Sequence, residues 1–138
     1  VSRALASWAT CLVALFGGNV LFHGHLAAAF FERSLAGIAV PMTQLSNPVY
    51  PLLTAAWMSA GMVWFTARGN SRTWTRDGAL IGLSVGVIAY GTWNVINLEM
   101  IPRWPLELVL VDTLWHAIHG GVAGALAGLT LRTARVAT

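Results

Sequence analysis

The sequence predicts an all-α membrane protein with four transmembrane helices and both termini on the cytoplasmic side. Three observations carry this. Charged residues make up 9% of the chain and hydrophobic residues 57%, whereas soluble domains carry roughly 25% charged residues. A soluble fold of 138 residues cannot cover its surface with so few charges, and a bilayer removes that requirement. Four long apolar windows also follow one another, and six of the eight arginines fall on one side of them.

The windows span about 5–31, 49–67, 77–98 and 106–131. Each reaches the roughly 20 residues needed to cross a hydrocarbon core. The first has the outline of a signal peptide, with Arg3, an apolar run and Ala27-Ala28-Ala29. Its run is too long for that and carries Asn19, His23 and His25, so it is expected to remain as a first span. Residues 32–47 read as a loop by Glu32, Arg33, Gly37 and Pro41, with an apolar stretch at 35–40 that suits an interfacial or re-entrant piece. Asn47-Pro48 and Pro51 suit the first turn of the second window. Gly69-Asn70-Ser71 marks a polar loop before the third, and Pro105 opens the fourth. No internal repeat divides the chain, so residues 1–138 are expected to form one transmembrane domain.

Charge tests the count of spans. Four crossings put Arg3, Arg68, Arg72, Arg76, Arg132 and Arg135 on one side and leave Arg33 and Arg103 on the other. The positive-inside rule makes the first side cytoplasmic, in a bacterial inner membrane. Glu32, Glu99, Glu107 and Asp112 lie on or toward the outer side. The arginines are spread over several loops, which argues against a nucleic-acid surface. Cys11 is alone and supports no disulfide framework.

Small residues give a second pattern. Gly78, Gly82 and Gly86 form one doubled G-x-x-x-G row, and Gly120, Gly124 and Gly128 another. Such rows let helices approach closely in lipid. Both fall in the cytoplasmic half of an antiparallel pair, so the third and fourth windows are expected to form a tight hairpin.

Polar residues give a third. Asp112, His116 and His119 share one helical face at i, i+4, i+7; Tyr90, Asn94 and Asn97 do the same, and Asn19 and His23 are i, i+4. Polar groups at membrane depth face the bundle interior and one another. A buried cluster of Asn94, Asn97, Asp112 and His116, with His23 nearby, is therefore expected between the first, third and fourth windows. The plainest use for it is hydrogen bonding that fixes helix order, at about 1 kcal/mol per contact or less. A second use is a metal site on His116, His119 and Asp112, or a haem or tetrapyrrole pigment on His23, His116 or His119. A third is a path for protons or a small solute along Asp112 and the histidines. No Ser-His-Asp order, phosphate loop or CxxC is present, so no catalytic residue is assigned. Trp8, Trp74 and Trp104 fall near window ends, where amphipathic rings anchor helices.

The run WNVINLEMIPRWPLELVLVDTLWH, from Trp93 to His116, resembles a family of small predicted bacterial membrane proteins of unknown function. That pattern has an aromatic-polar-x-x-Asn segment, then Trp-Pro, then an Asp followed three residues later by Trp. The matching positions are Trp93, Asn94, Asn97, Trp104, Pro105, Asp112 and Trp115. The family tends to carry Tyr and Asp where this chain has Trp93 and Asn94, and Gly where it has His116. The resemblance covers mainly the second half of the chain. It implies a four-span fold and no known reaction, and it does not imply His116. The expected function is a non-enzymatic accessory or scaffold subunit. It would pack in the lipid bilayer against other membrane proteins, or a second copy, through Gly-rich faces and Trp-rich edges. A His-based metal, haem or pigment protein and a small proton or solute transporter are the alternatives.

Overall fold

A computed structural model of the protein describes residues 2–38 and 47–136. The described residues form five α-helices and one π-helical turn: α1 (Ser2–Leu21), the π turn (Phe22–Leu26), α2 (Ala28–Ser34), α3 (Val49–Arg68), α4 (Trp74–Met100) and α5 (Leu106–Val136). The apolar stretch 35–40 is described only as far as Ile38, where it is turn, and Pro41 lies outside the described residues.

Local chemistry sets most of the helix ends. Asn47 Oδ1 accepts from the Val49 amide at 3.0 Å, ahead of a helix with Pro51 in its first turn. Thr73 precedes α4 and donates its hydroxyl to Asp77 Oδ2 at 2.7 Å, with that acid in the positively polarised first turn. This starts α4 at Trp74, earlier than residue 77. The turn between α4 and α5 reverses through Arg103, whose φ of 70° is left-handed.

The first window is not one uniform helix. At Phe22–Leu26 the backbone widens into a π turn, closed by the Ala27 amide donating to the Phe22 carbonyl at 2.8 Å. At Ala27 (φ −116°, ψ 9°) it leaves helical geometry before α2 begins. Apolar periodicity does not register such an inserted residue, because composition is unchanged.

Among the described residues, two helical stretches, Arg3–Leu26 and Trp74–Met100, are long and apolar enough to cross a membrane. Helices α3 and α5 have 20 and 31 residues, about 30 and 46 Å at 1.5 Å per residue. Trp57, Ser59, Trp64 and Thr66 in the one, and Asp112, His116 and His119 in the other, make them less apolar.

Helix α5 is the centre of the packing. Against α4 it runs antiparallel, and the glycine rows set the spacing. A Cβ added at Gly82 would collide with the Gly120 carbonyl, one at Gly78 with that of Gly124, and one at Gly128 with that of Trp74. Only bare backbone permits this approach. Against α1 it also runs antiparallel. Ser7 Oγ donates to the Ala127 carbonyl at 2.8 Å, and the His119 ring occupies the space a side chain at Gly18 would need. Helix α3 closes the bundle. Met62 is fully buried and lies beside Gly82 and Gly124, where the two rows cross. The buried hydroxyls of Ser59 and Thr66 donate to carbonyls of their own helix, at 2.6 and 2.7 Å. Cys11, Met62, Ala123, Ala127 and Leu131 fill one half of the interior with apolar atoms. Ser7, Ser59 and Thr66 lie in that half too, each with its hydroxyl on a helix carbonyl, while His23, Asn94, Asp112 and His116 lie in the other half.

A buried carboxylate held by two histidines

Asp112 stands one turn before His116 on α5, so both face the same side. Asp112 is 7% exposed. Oδ1 lies 2.9 Å from His23 Nε2 and 3.2 Å from His116 Nδ1. Oδ2 accepts from Asn94 Nδ2 at 2.7 Å, and Asn94 is fully buried. Three segments thus meet on one carboxylate: the π turn, α4 and α5.

Backbone carbonyls orient all three buried imidazoles. A carbonyl only accepts, so the ring nitrogen facing it carries the proton. His23 Nδ1–H donates to the Asn19 carbonyl at 3.1 Å, which turns Nε2 toward Asp112. His116 Nδ1–H donates to the Asp112 carbonyl at 2.8 Å, leaving Nε2 beside Asn19 Oδ1 at 3.2 Å. His119 Nε2–H donates to the Ala14 carbonyl at 2.8 Å, and its Nδ1 is buried without a partner.

Aromatic rings fix these planes. Tyr90 stacks on His116 with centroids 3.2 Å apart, and Phe31 lies 4.5 Å from the His23 ring. Phe22, the first residue of the π turn, stacks on Trp115 at 4.1 Å and 6°. The π turn is thereby pinned to α5 beside His23.

Of the residues singled out by spacing, the structure gathers His23, Asn94, Asp112 and His116. Spacing grouped His116 and His119 with Asp112 as ligands; the three ligand groups that converge are instead His23, Asp112 and His116, whose donor atoms lie within 4.8 Å of one another. His119 faces α1 one turn away. Asn97 is buried at 5% exposure with an unpartnered amide nitrogen and does not reach the carboxylate. The six glycines lie in the α4–α5 contact. Sequence reading missed Gly18, which makes room for His119, and Phe31, which covers His23. A small-residue stripe of Ser7, Cys11 and Gly18 on the α5-facing side of α1 was the available signal for the glycine. No comparable signal marks Phe31, because its placement follows from the break at Ala27.

Three cavities border the cluster. A space of about 230 Å³ touches Asp112, His116, His23 and Asn94. A second, of about 470 Å³, lies between the π turn and the start of α3, lined by His23, Asn19, Tyr50 and Glu32. A third, of about 410 Å³, extends inward past Asn19 and His116 to Met58, His119 and Gly120. Asn19 borders all three. Beyond them lies the apolar half of the core.

A family model described as predicted membrane protein (DUF2177) matches residues 4–129. No curated protein and no solved structure matches the chain.

Proposed function

The chain belongs to this family of predicted membrane proteins, and on that premise we propose that it is a small transporter, crossing the bilayer four times, that takes up a small cation at Asp112. The antiparallel α4–α5 contact supports the crossing count. Gly128 meets Trp74, Gly120 meets Gly82 and Asp112 meets Asn94, so α5 accompanies α4 along the length that spans. Arg3, Arg68, Arg72, Arg76 and Arg132 fall at the end where Ser7, Thr66, Gly78 and Ala127 gather. That end is cytoplasmic by the positive-inside rule.

The observation that carries the reading is the company Asp112 keeps. Its partners are two imidazoles and an amide, none of them a fixed positive charge. A carboxylate at membrane depth costs about 2.5–3.5 kcal/mol, and such residues mark ion pathways. Hydrogen bonding that only orders helices needs no carboxylate. A positive charge that arrives and leaves does, and the cavities lead to this one from the Glu32 end. The scaffold expectation is weakened at the same time, because the glycine faces are consumed inside the chain. Trp57 and Trp64 remain exposed, a position that lipid suits as well as a partner does.

Reconstituted liposomes test this. Uptake of protons, monovalent cations and divalent cations is compared between wild type, Asp112→Asn and Asp112→Glu. Wild type is expected to exceed empty vesicles for at least one cation, with Asp112→Asn at background and Asp112→Glu between them. Wild type at background for every cation, or Asp112→Asn equal to wild type, contradicts the reading.

A further inference from the structure

Resting on the transport reading above, we infer that the cation is a divalent first-row transition ion bound by His23, Asp112 and His116. Two imidazoles and one carboxylate place donor atoms within 4.8 Å of one another. That spread is close to what one ion needs, since ligands at about 2.0–2.2 Å from a common centre lie up to roughly 4 Å apart. The donor set is two nitrogens and one oxygen. It suits zinc, cobalt or ferrous iron; magnesium and calcium take oxygen ligands.

The surroundings have the form that metal ligands require. A ligating imidazole donates its other N–H to a carbonyl or carboxylate, which fixes its tautomer. His23 does this through Nδ1–H to the Asn19 carbonyl, and the freed Nε2 is the atom aimed at Asp112. His116 is held by the Asp112 carbonyl and by the Tyr90 ring stacked on it. Asn94 holds the second carboxylate oxygen at 2.7 Å, leaving Oδ1 for the ion. Asn19 Oδ1, beside His116 Nε2, offers an oxygen as a fourth ligand. The cavity that reaches His23 is bordered by Glu32, an acid suited to attract a divalent cation toward the ligands.

Purified protein in mild detergent is stripped with chelator and titrated with Zn²⁺, Co²⁺ and Mg²⁺. One Zn²⁺ per chain is expected, with a Co²⁺ absorption spectrum showing nitrogen–oxygen coordination and no Mg²⁺ binding. His23→Gln, His116→Gln and Asp112→Asn are each expected to weaken Zn²⁺ by at least tenfold. His25→Gln, at an exposed position, is expected to leave it unchanged. Circular dichroism identifies variants that stay helical. Should a ligand variant unfold, the wild-type Co²⁺ spectrum decides alone: no coordination bands overturns the inference. Zn²⁺ bound equally by wild type and folded Asp112→Asn also overturns it. The two readings fail separately. Asp112-dependent uptake of protons or monovalent ions without Zn²⁺ binding removes the metal and leaves the transporter. Stoichiometric Zn²⁺ binding without uptake of any cation removes the transporter and leaves the metal site.

Discussion

His23, Asn94 and the Asp112–His116 pair come from three different segments, the π turn, α4 and α5, yet each carries an instruction that survives folding. The i, i+4 pairs Asn19–His23, Tyr90–Asn94 and Asp112–His116 each stack along one helix face, as the 3.6-residue period requires. That made the polar faces readable from the sequence. That His23 rather than His119 would join His116 at the carboxylate was not readable. It depends on the axial offset between α1 and α5, and spacing within one helix is silent about it. The hydrogen bonds also fix what a substitution at Asn94 does. Asn94→Ala removes the donor to Asp112 Oδ2 without touching the ligand atoms. A change of this kind in a metal's supporting layer costs about 10–100-fold in affinity. Zn²⁺ titration of Asn94→Ala is expected to show that loss with one ion per chain retained. Unchanged affinity would remove Asn94 from the site's support.

At the scale of elements, the glycines divide into two groups that helix propensity alone does not separate. Gly82 and Gly120 face each other's backbone with no room for a methyl group, while Gly17 and Gly61 have nothing within 4 Å of an added Cβ. Gly82→Ala and Gly120→Ala are expected to lower stability by about 1–3 kcal/mol, because backbone on the facing helix must move. Gly17→Ala and Gly61→Ala are expected to be neutral or to stabilise by up to about 1 kcal/mol, the propensity difference in a helix interior. Thermal unfolding in detergent, followed by circular dichroism, separates the groups. Equal effects at all four would contradict the hairpin contact. The hairpin was legible because two rows with the same four-residue period fell at matching depth. The π turn was not, since an inserted residue alters register and leaves the apolar run intact. It matters to the site all the same: π turns recur at functional positions, and this one presents His23 while Phe22 ties it to Trp115.

Across the whole molecule, the half of the bundle next to the arginine-rich end is mostly apolar and the half that holds Asp112 is polar and hollow. Cys11, Met62, Ala123 and Ala127 seal the half next to the arginine-rich end. The cavities open the half that holds Asp112. The cavity bordered by Glu32 reaches His23, so uptake in oriented vesicles is expected to start from the face bearing the α4–α5 turn. The expectation of an even number of crossings rests on the arginine distribution, which hydropathy alone does not supply. Among the described residues, two of the four expected spans are apolar enough to be identified unaided. The other two carry the Trp, Asp and His residues that lower their hydropathy and, in α5, build the site. Impermeant thiol labelling in right-side-out vesicles tests the arrangement most directly. Single cysteines are placed at Asn70, Pro102 and Thr133 in a Cys11→Ala background. The account predicts labelling at Pro102→Cys before permeabilisation, and at Asn70→Cys and Thr133→Cys only after it. Labelling of Pro102→Cys and Asn70→Cys from the same side would mean that α4 does not cross, and Asp112 would then have no place inside a membrane bundle.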